Sequence, residues 1–194
     1  MPHRITIIQG HPDSGGEHLC HALANAYRSG AEASDFEVRV INVANLSFPL
    51  IRSGEDFKNG PRPACIQEAQ SMIRTSDHLL LVYPLWLGTM PALLKGFLEQ
   101  VFRYDFAFEP DARGRFEKKL RGRSARVMVT MGMPALGYRY YFGAHSLKSL
   151  ERNVLKFSGI SPVRESLFGA VDSVSHTTRQ KWLQRATRLG AAGR

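Results

Sequence analysis

Three short stretches of this 194-residue chain hold side chains and small residues arranged so that they could do chemistry. The first is Gln9-Gly10-His11-Pro12-Asp13-Ser14-Gly15-Gly16-Glu17-His18-Leu19-Cys20. Its small residues permit a sharp turn, and the free N–H groups at the start of a helix attract an anion. The spacing is neither GxGxxG nor GxxxxGK followed by Ser or Thr, so it carries no dinucleotide fingerprint and no P-loop. An ordinary strand-to-helix turn is the plainer alternative. His18, Cys20 and His21 invite a metal reading, but helical geometry leaves Cys20 off the face that His18 and His21 share, so no metal is expected. As a nucleophile, Cys20 lacks a recognisable set of partners.

The second stretch is Tyr83-Pro84-Leu85-Trp86-Leu87-Gly88-Thr89-Met90-Pro91, running on to Phe97. A large aromatic and two leucines just beyond an apolar run need a reason to be there. One reason is a flat ring such as isoalloxazine, whose polar edge backbone N–H groups can meet while side chains cover its face. Packing of Trp86 over the loop as a satellite of the core is the alternative. The third stretch is Thr130-Met131-Gly132-Met133-Pro134-Ala135-Leu136-Gly137-Tyr138, continuing to His145. Gly132 permits close approach of backbone to a ligand. Tyr138 is either a pocket residue or a core residue, and His145 either a proton donor or a local helix-start residue.

Alternating elements must position these stretches. Arg4–Gln9, Phe36–Val43, His78–Tyr83, Ala125–Thr130 and Pro162–Phe168 read as strands; HLLLVY is the continuous apolar run of a strand buried on both faces. Helices are expected over Leu19–Tyr27, with Gly30 as the stop, and over Arg62–Thr75, Pro91–Phe102, Ser146–Ser158 and Thr177–Leu189. The order is βαβαβαβαβα, which implies an α/β fold: a doubly wound, five-stranded parallel sheet with helices on both faces, in one domain over residues 1–194. Such sheets bind ligands beyond the carboxyl ends of their strands, near the switch in strand order, so the three stretches should meet there. Ala44–Gly60 and Arg103–Gly122 are long for plain connectors. In the second, Phe102, Tyr104, Phe106 and Phe108 alternate and would wall an acceptor pocket or close a dimer.

Composition bounds the rest. The chain is 43% hydrophobic and 22% charged, as ordinary globular proteins are, and no apolar run approaches the ~20 residues of a membrane span. Two cysteines without a CxxC argue against a disulfide scaffold and point to a reducing cytoplasm. The formal charge of +9 is densest between Arg113 and Arg126. It reads first as a solvated basic face, next as attraction for a phosphorylated nicotinamide cofactor. No nucleic-acid module accompanies it, so no nucleic-acid partner is expected.

GHPDSGGEHLCHAL, YPLWLGTMPALLKGFLEQVF and LRGRSARVMVTMGMPALGYRYYFG together resemble the flavodoxin-like NAD(P)H dehydrogenase (quinone) family, which includes the ancillary reductases of potassium-efflux systems. The resemblance spans nearly the whole chain and is most specific at PLWLGTMPALLKGF. It implies FMN or FAD, a homodimer, and hydride transfer from NAD(P)H to a quinone-like acceptor by a ping-pong route. It places His11, Ser14 and Glu17, His18, Leu19 and Cys20 at the phosphates, and Pro84, Leu85, Trp86 and Leu87 along the flavin edge. Thr130, Met131, Gly132 and Met133 fall beside the pyrimidine end, and Tyr138 and His145 at the hydride acceptor. Where the family usually has an asparagine near Cys20 and a second glycine at Met133, this chain has neither. The other role that the resemblance implies is a regulatory flavoprotein that docks on a membrane transporter.

Overall fold

The computed structural model describes residues 3–111 and 113–194; Met1, Pro2 and Ala112, part of the stretches read above, lie outside the described residues. Five strands form one all-parallel sheet: β1 (Arg4–Gln9), β2 (Glu37–Asn42), β3 (His78–Pro84), β6 (Ser124–Thr130) and β7 (Val163–Phe168). They lie in the order β2-β1-β3-β6-β7. Every residue of β3 is buried, as its uninterrupted apolar sequence requires of a central strand covered on both faces.

Two cores, one on each side, confirm the layering. Ile5, Ile7, Leu80, Val82 and Met128 pack with α1 (Leu19–Glu32) and α6 (His176–Ala191). Ile8, Leu79, Leu81, Val127 and Val129 pack on the opposite side with α3 (Ala64–Arg74), α4 (Ala92–Val101) and α5 (His145–Ser149). The α5 segment runs on as a π-helical stretch over Leu150–Lys156. Winding therefore reverses between β1 and β3, and their carboxyl ends lead into the first two chemically suggestive loops.

The expected five-stranded architecture is present, with differences in detail. Gly30 does not stop the first helix: α1 continues to Glu32, and Gly30 is buried in it. A Cβ there would sit 2.0 Å from the Thr187 carbonyl oxygen, and one on Gly190 1.9 Å from that of Tyr27. These glycines let α1 and α6 cross with their backbones in contact.

The long connectors hold elements of their own. Ala44–Gly60 contains the short helix α2 (Gly54–Asn59). Buried Arg103 ties it down, donating to the carbonyls of Asp56 at 2.7 Å and Pro61 at 3.2 Å. Arg103–Gly122 holds a small antiparallel hairpin, β4 (Phe108–Pro110) with β5 (Phe116–Lys118). Its aromatics serve packing: Phe102 and Phe106 are buried, while Tyr104, Phe108, Phe116 and Phe157 meet edge to face or tilted at 5.0–6.4 Å.

Candidate flavin site

At the carboxyl end of β1, Asp13 organises the loop. Its carboxylate accepts the Gly15 N–H at 2.9 Å and pairs with His18 Nε2 at 2.8 Å. The His18 hydrogen bond, followed by that of Gly15, holds the Asp13 carboxyl below its ordinary value. His11 Nδ1 accepts the Asp13 N–H at 3.1 Å, so in the neutral ring the proton sits on Nε2. The His11 and His18 rings stack at 3.9 Å, and His21 lies 5.3 Å and 5.7 Å from them. Burial, then the neighbouring His18, pushes the pKa of both His11 and His21 below the ordinary histidine value. Both ring nitrogens of His21 are buried without a partner among the described residues. No side chain caps the start of α1, leaving the positive end of a 14-residue helix open to an anion.

Beyond β3, the Trp86 N–H reaches the Thr89 carbonyl at 2.8 Å and the Thr89 N–H returns to Trp86 at 2.9 Å. Leu87 and Gly88 between them have φ of 48° and 78°. This is a two-residue turn with both central residues left-handed, which glycine accepts readily and leucine does not. The hairpin lifts Trp86 half out of the surface, with its ring edge-on to His11 at 6.0 Å. The Leu85 N–H donates to the Thr130 carbonyl at 2.7 Å, joining this loop to the one after β6. The Thr130 hydroxyl meets Cys20 Sγ at 3.1 Å beneath the site. Burial pushes the Cys20 thiol up to about 12, so it is no nucleophile at neutral pH.

Together the three loops enclose a depression of about 400 Å³, a size and position typical of a cofactor site. His11, Glu17, His18, Leu19 and Cys20 line it from the first loop and the start of α1, Pro84, Leu85 and Trp86 from the second loop, and Thr130, Met131 and Gly132 from the third. An anion would find the uncapped α1 terminus and the imidazoles, and a flat ring would find Trp86 and the apolar side chains. A family model described as a flavodoxin-like fold matches residues 3–189.

The chain belongs to this flavodoxin-like family. An uncharacterized NAD(P)H oxidoreductase of Haemophilus influenzae is 28% identical to it, over 93% of this chain and 90% of that one. The FMN-dependent NADH:quinone oxidoreductase 9 of Burkholderia lata is 26% identical, over 90% of this chain and 93% of its own. Among solved structures, the NAD(P)H:quinone oxidoreductase of Methanothermobacter marburgensis matches with a TM-score of 0.81, at 23% identity over 98% of this chain and 96% of that one. At that identity the likeness is one of fold.

Within this flavodoxin-like chain, five of the expected site residues lie off the depression. Ser14 is exposed on the first loop, and Leu87 stands fully exposed at the hairpin tip. Met133 turns to the second core. Tyr138 is buried with its hydroxyl accepting the Leu147 N–H at 3.3 Å, and burial holds its pKa above the ordinary phenol value. His145 is exposed at the start of α5. Ser146 beside it bonds Thr89 at 3.0 Å, placing that helix start against the Trp86 hairpin. Tyr138 thus packs beneath the start of α5, while His145 stands at its surface.

The structure adds residues that sequence reading missed. Val171, Asp172 and Arg179 close the depression from the loop after β7 and the first turn of α6. Arg179 is fixed there by donating to the Val171 carbonyl at 2.8 Å. The signal the sequence carries for them is a regular strand followed by Gly169. Among the described residues no cluster of three His, Cys, Asp or Glu side chains is placed to hold a metal.

Proposed function

We propose that this protein is a flavin-dependent NAD(P)H oxidoreductase that reduces a quinone-like acceptor in the cytoplasm, as a homodimer. One observation carries the reading: three loops at the switch in strand order converge on one depression with an open helix start at one end and a half-exposed tryptophan on its wall. The relatives named NAD(P)H oxidoreductase and NADH:quinone oxidoreductase support the reaction class, and the second, named FMN-dependent, favours FMN over FAD.

The residues fit such a cofactor. The uncapped α1 start supplies free backbone N–H groups for a phosphate, and His11, whose neutral ring carries its proton on Nε2, lines the same depression. Trp86 and Leu85 cover an aromatic face, while Gly132 brings backbone without a side chain of its own to the ring edge, the Asp172 carboxylate lying 3.4 Å from where a Cβ would sit. Bound there, a flavin supplies the two-electron chemistry that side chains lack. Arg179, a fixed cation at the rim, favours phosphate-bearing NAD(P)H. Since the Tyr138 hydroxyl is engaged internally, His145, exposed beside the hairpin, is the residue we assign to proton delivery.

The test is to purify the chain, record its visible absorbance with and without added FMN or FAD, and add NADPH anaerobically. A flavin spectrum that bleaches is expected, with FMN released on heating. A colourless protein that takes up neither flavin would overturn the reading and leave docking on a transporter as the surviving role.

A further inference from the structure

On the sheet edge formed by β7, a second depression of about 640 Å³ shares no residue with the flavin site. It flanks Val163-Arg164-Glu165, at the amino-terminal half of β7, whereas the flavin site lies past the carboxyl ends of the strands. Seven cationic side chains line it against two carboxylates. The carboxylates are already engaged: Glu165 by Arg139, and Glu151 by Lys156 at 2.6 Å. Arg126, Lys148, Arg152, Arg164 and Arg185 have no carboxylate partner among the described residues.

Arg126 sets this basin apart from a solvated basic face. It rises from β6 and is only 6% exposed. Nη1 reaches the Ser166 hydroxyl at 2.8 Å, but its Nε is buried with no partner. A buried guanidinium that lacks a counter-anion is costly, and Arg164, Arg185 and Arg194 make it more so. Burial and those like charges hold its pKa below the ordinary arginine value. An anion seated in the basin would relieve both. Arginine forks match phosphate oxygens two at a time, and four of the five unpaired cations are arginines. The volume exceeds what one phosphate group fills, and the cations come from α5 and its π-helical continuation on one face of the sheet and from β6, β7 and α6 on the other, so they flank the β7 edge from both faces rather than line a single helix.

We propose that the β7-edge basin is a binding site for a small ligand carrying two or more phosphate groups, separate from the redox site. Tripolyphosphate is a suitable probe. Its binding to the full chain is measured by calorimetry at low ionic strength, with saturating FMN present so that phosphate contacts at the first site are filled. The expected result is saturable one-to-one binding that weakens about tenfold or more in an Arg164→Gln/Arg185→Gln variant, two charge-assisted contacts being removed. An Arg52→Gln/Lys58→Gln variant, which loses the same formal charge at exposed positions elsewhere, should bind within about twofold of wild type. Lys148→Gln/Arg152→Gln, at two exposed positions on α5 and its continuation, provides an independent pair should the first variant fold poorly. Absence of saturable binding by the wild-type chain overturns the proposal, and so does equal weakening in the control pair, which would mark net charge alone. A chain that takes up no flavin yet shows this pattern still supports it, so the two readings fail separately.

Discussion

His78 shows how one buried side chain can set the acid limit of the molecule. It opens β3 with no exposed surface, its Nδ1 2.7 Å from the Ser124 hydroxyl and its ring parallel to Tyr27 at 6.4 Å. Burial, then the positive charges of Arg126, His3 and Arg164, pushes its pKa down to about 3. The folded value lies below the unfolded one near 6.5, so the unfolded chain binds more protons as pH falls. His78 therefore contributes stability that is present above about pH 6.5 and drains away as pH drops toward 3, at up to about 1.4 kcal/mol per pH unit. His11 and His21 act in the same direction. Urea midpoints compared at pH 7 and pH 4.5 should fall more steeply for wild type than for His78→Gln. Parallel losses in the two proteins would show that His78 is not the acid-sensitive group. Residues like this one were poorly legible: HLLLVY announced a buried strand, but not what the histidine at its head would face. The same holds at the site. Helical spacing already puts His18 and His21 on one face, yet the approach of His11 to both depends on how the loop folds back, where Asp13 holds Gly15 and His18.

Among the elements, the crossing of α1 with α6 yields a prediction whose sign depends on tertiary contact. In an exposed helix interior, Gly→Ala stabilises by about 0.5–1 kcal/mol, since glycine loses more freedom on folding. At Gly30 the added methyl would meet the Thr187 backbone at 2.0 Å, and backbone cannot swing aside as a side chain can. Gly30→Ala should therefore destabilise by about 1–3 kcal/mol, as overpacking does. Gly54→Ala, at the start of α2 with nothing within 4 Å of a Cβ, should be neutral or stabilising. Thermal melts of both variants test this, and a Gly30→Ala protein at least as stable as wild type would contradict the packing account. The central strands β1, β3 and β6 were readable because burial on both faces makes them apolar runs, and the edge strand β2 because half-burial leaves an alternation. Gly30 misled because a stop glycine and a packing glycine are the same letter. The β4–β5 hairpin was missed because its strands are three residues each and mostly exposed, so neither carries a hydrophobic period. The π-helical run after α5 keeps a helical apolar pattern, and nothing in the residues marks its wider turn.

For the whole molecule, six of the nine large apolar side chains exposed among the described residues fall on two loops. Trp86, Leu87, Leu136, Tyr140, Tyr141 and Phe142 are all exposed, and the first two and the last four come from the loops after β3 and β6 respectively. The Ser146–Thr89 hydrogen bond ties the hairpin after β3 to α5, the helix that follows the second of these loops. Scattered single apolar residues need no explanation, but six on two loops at the carboxyl-end rim of the sheet, including a leucine held at positive φ, mark a surface that meets another. In the proposed homodimer this rim is covered by the partner copy, whose own rim would in turn roof the first copy's flavin depression. Two consequences follow from that arrangement. Light scattering should give twice the chain mass at micromolar concentration. Leu136→Glu/Tyr141→Glu should shift the protein to monomer and raise the KM for a quinone while leaving the flavin spectrum in place, because neither side chain lines the cofactor depression. A wild-type monomer, or a monomeric variant with unchanged KM, would separate the apolar rim from catalysis and return it to the docking of some other partner.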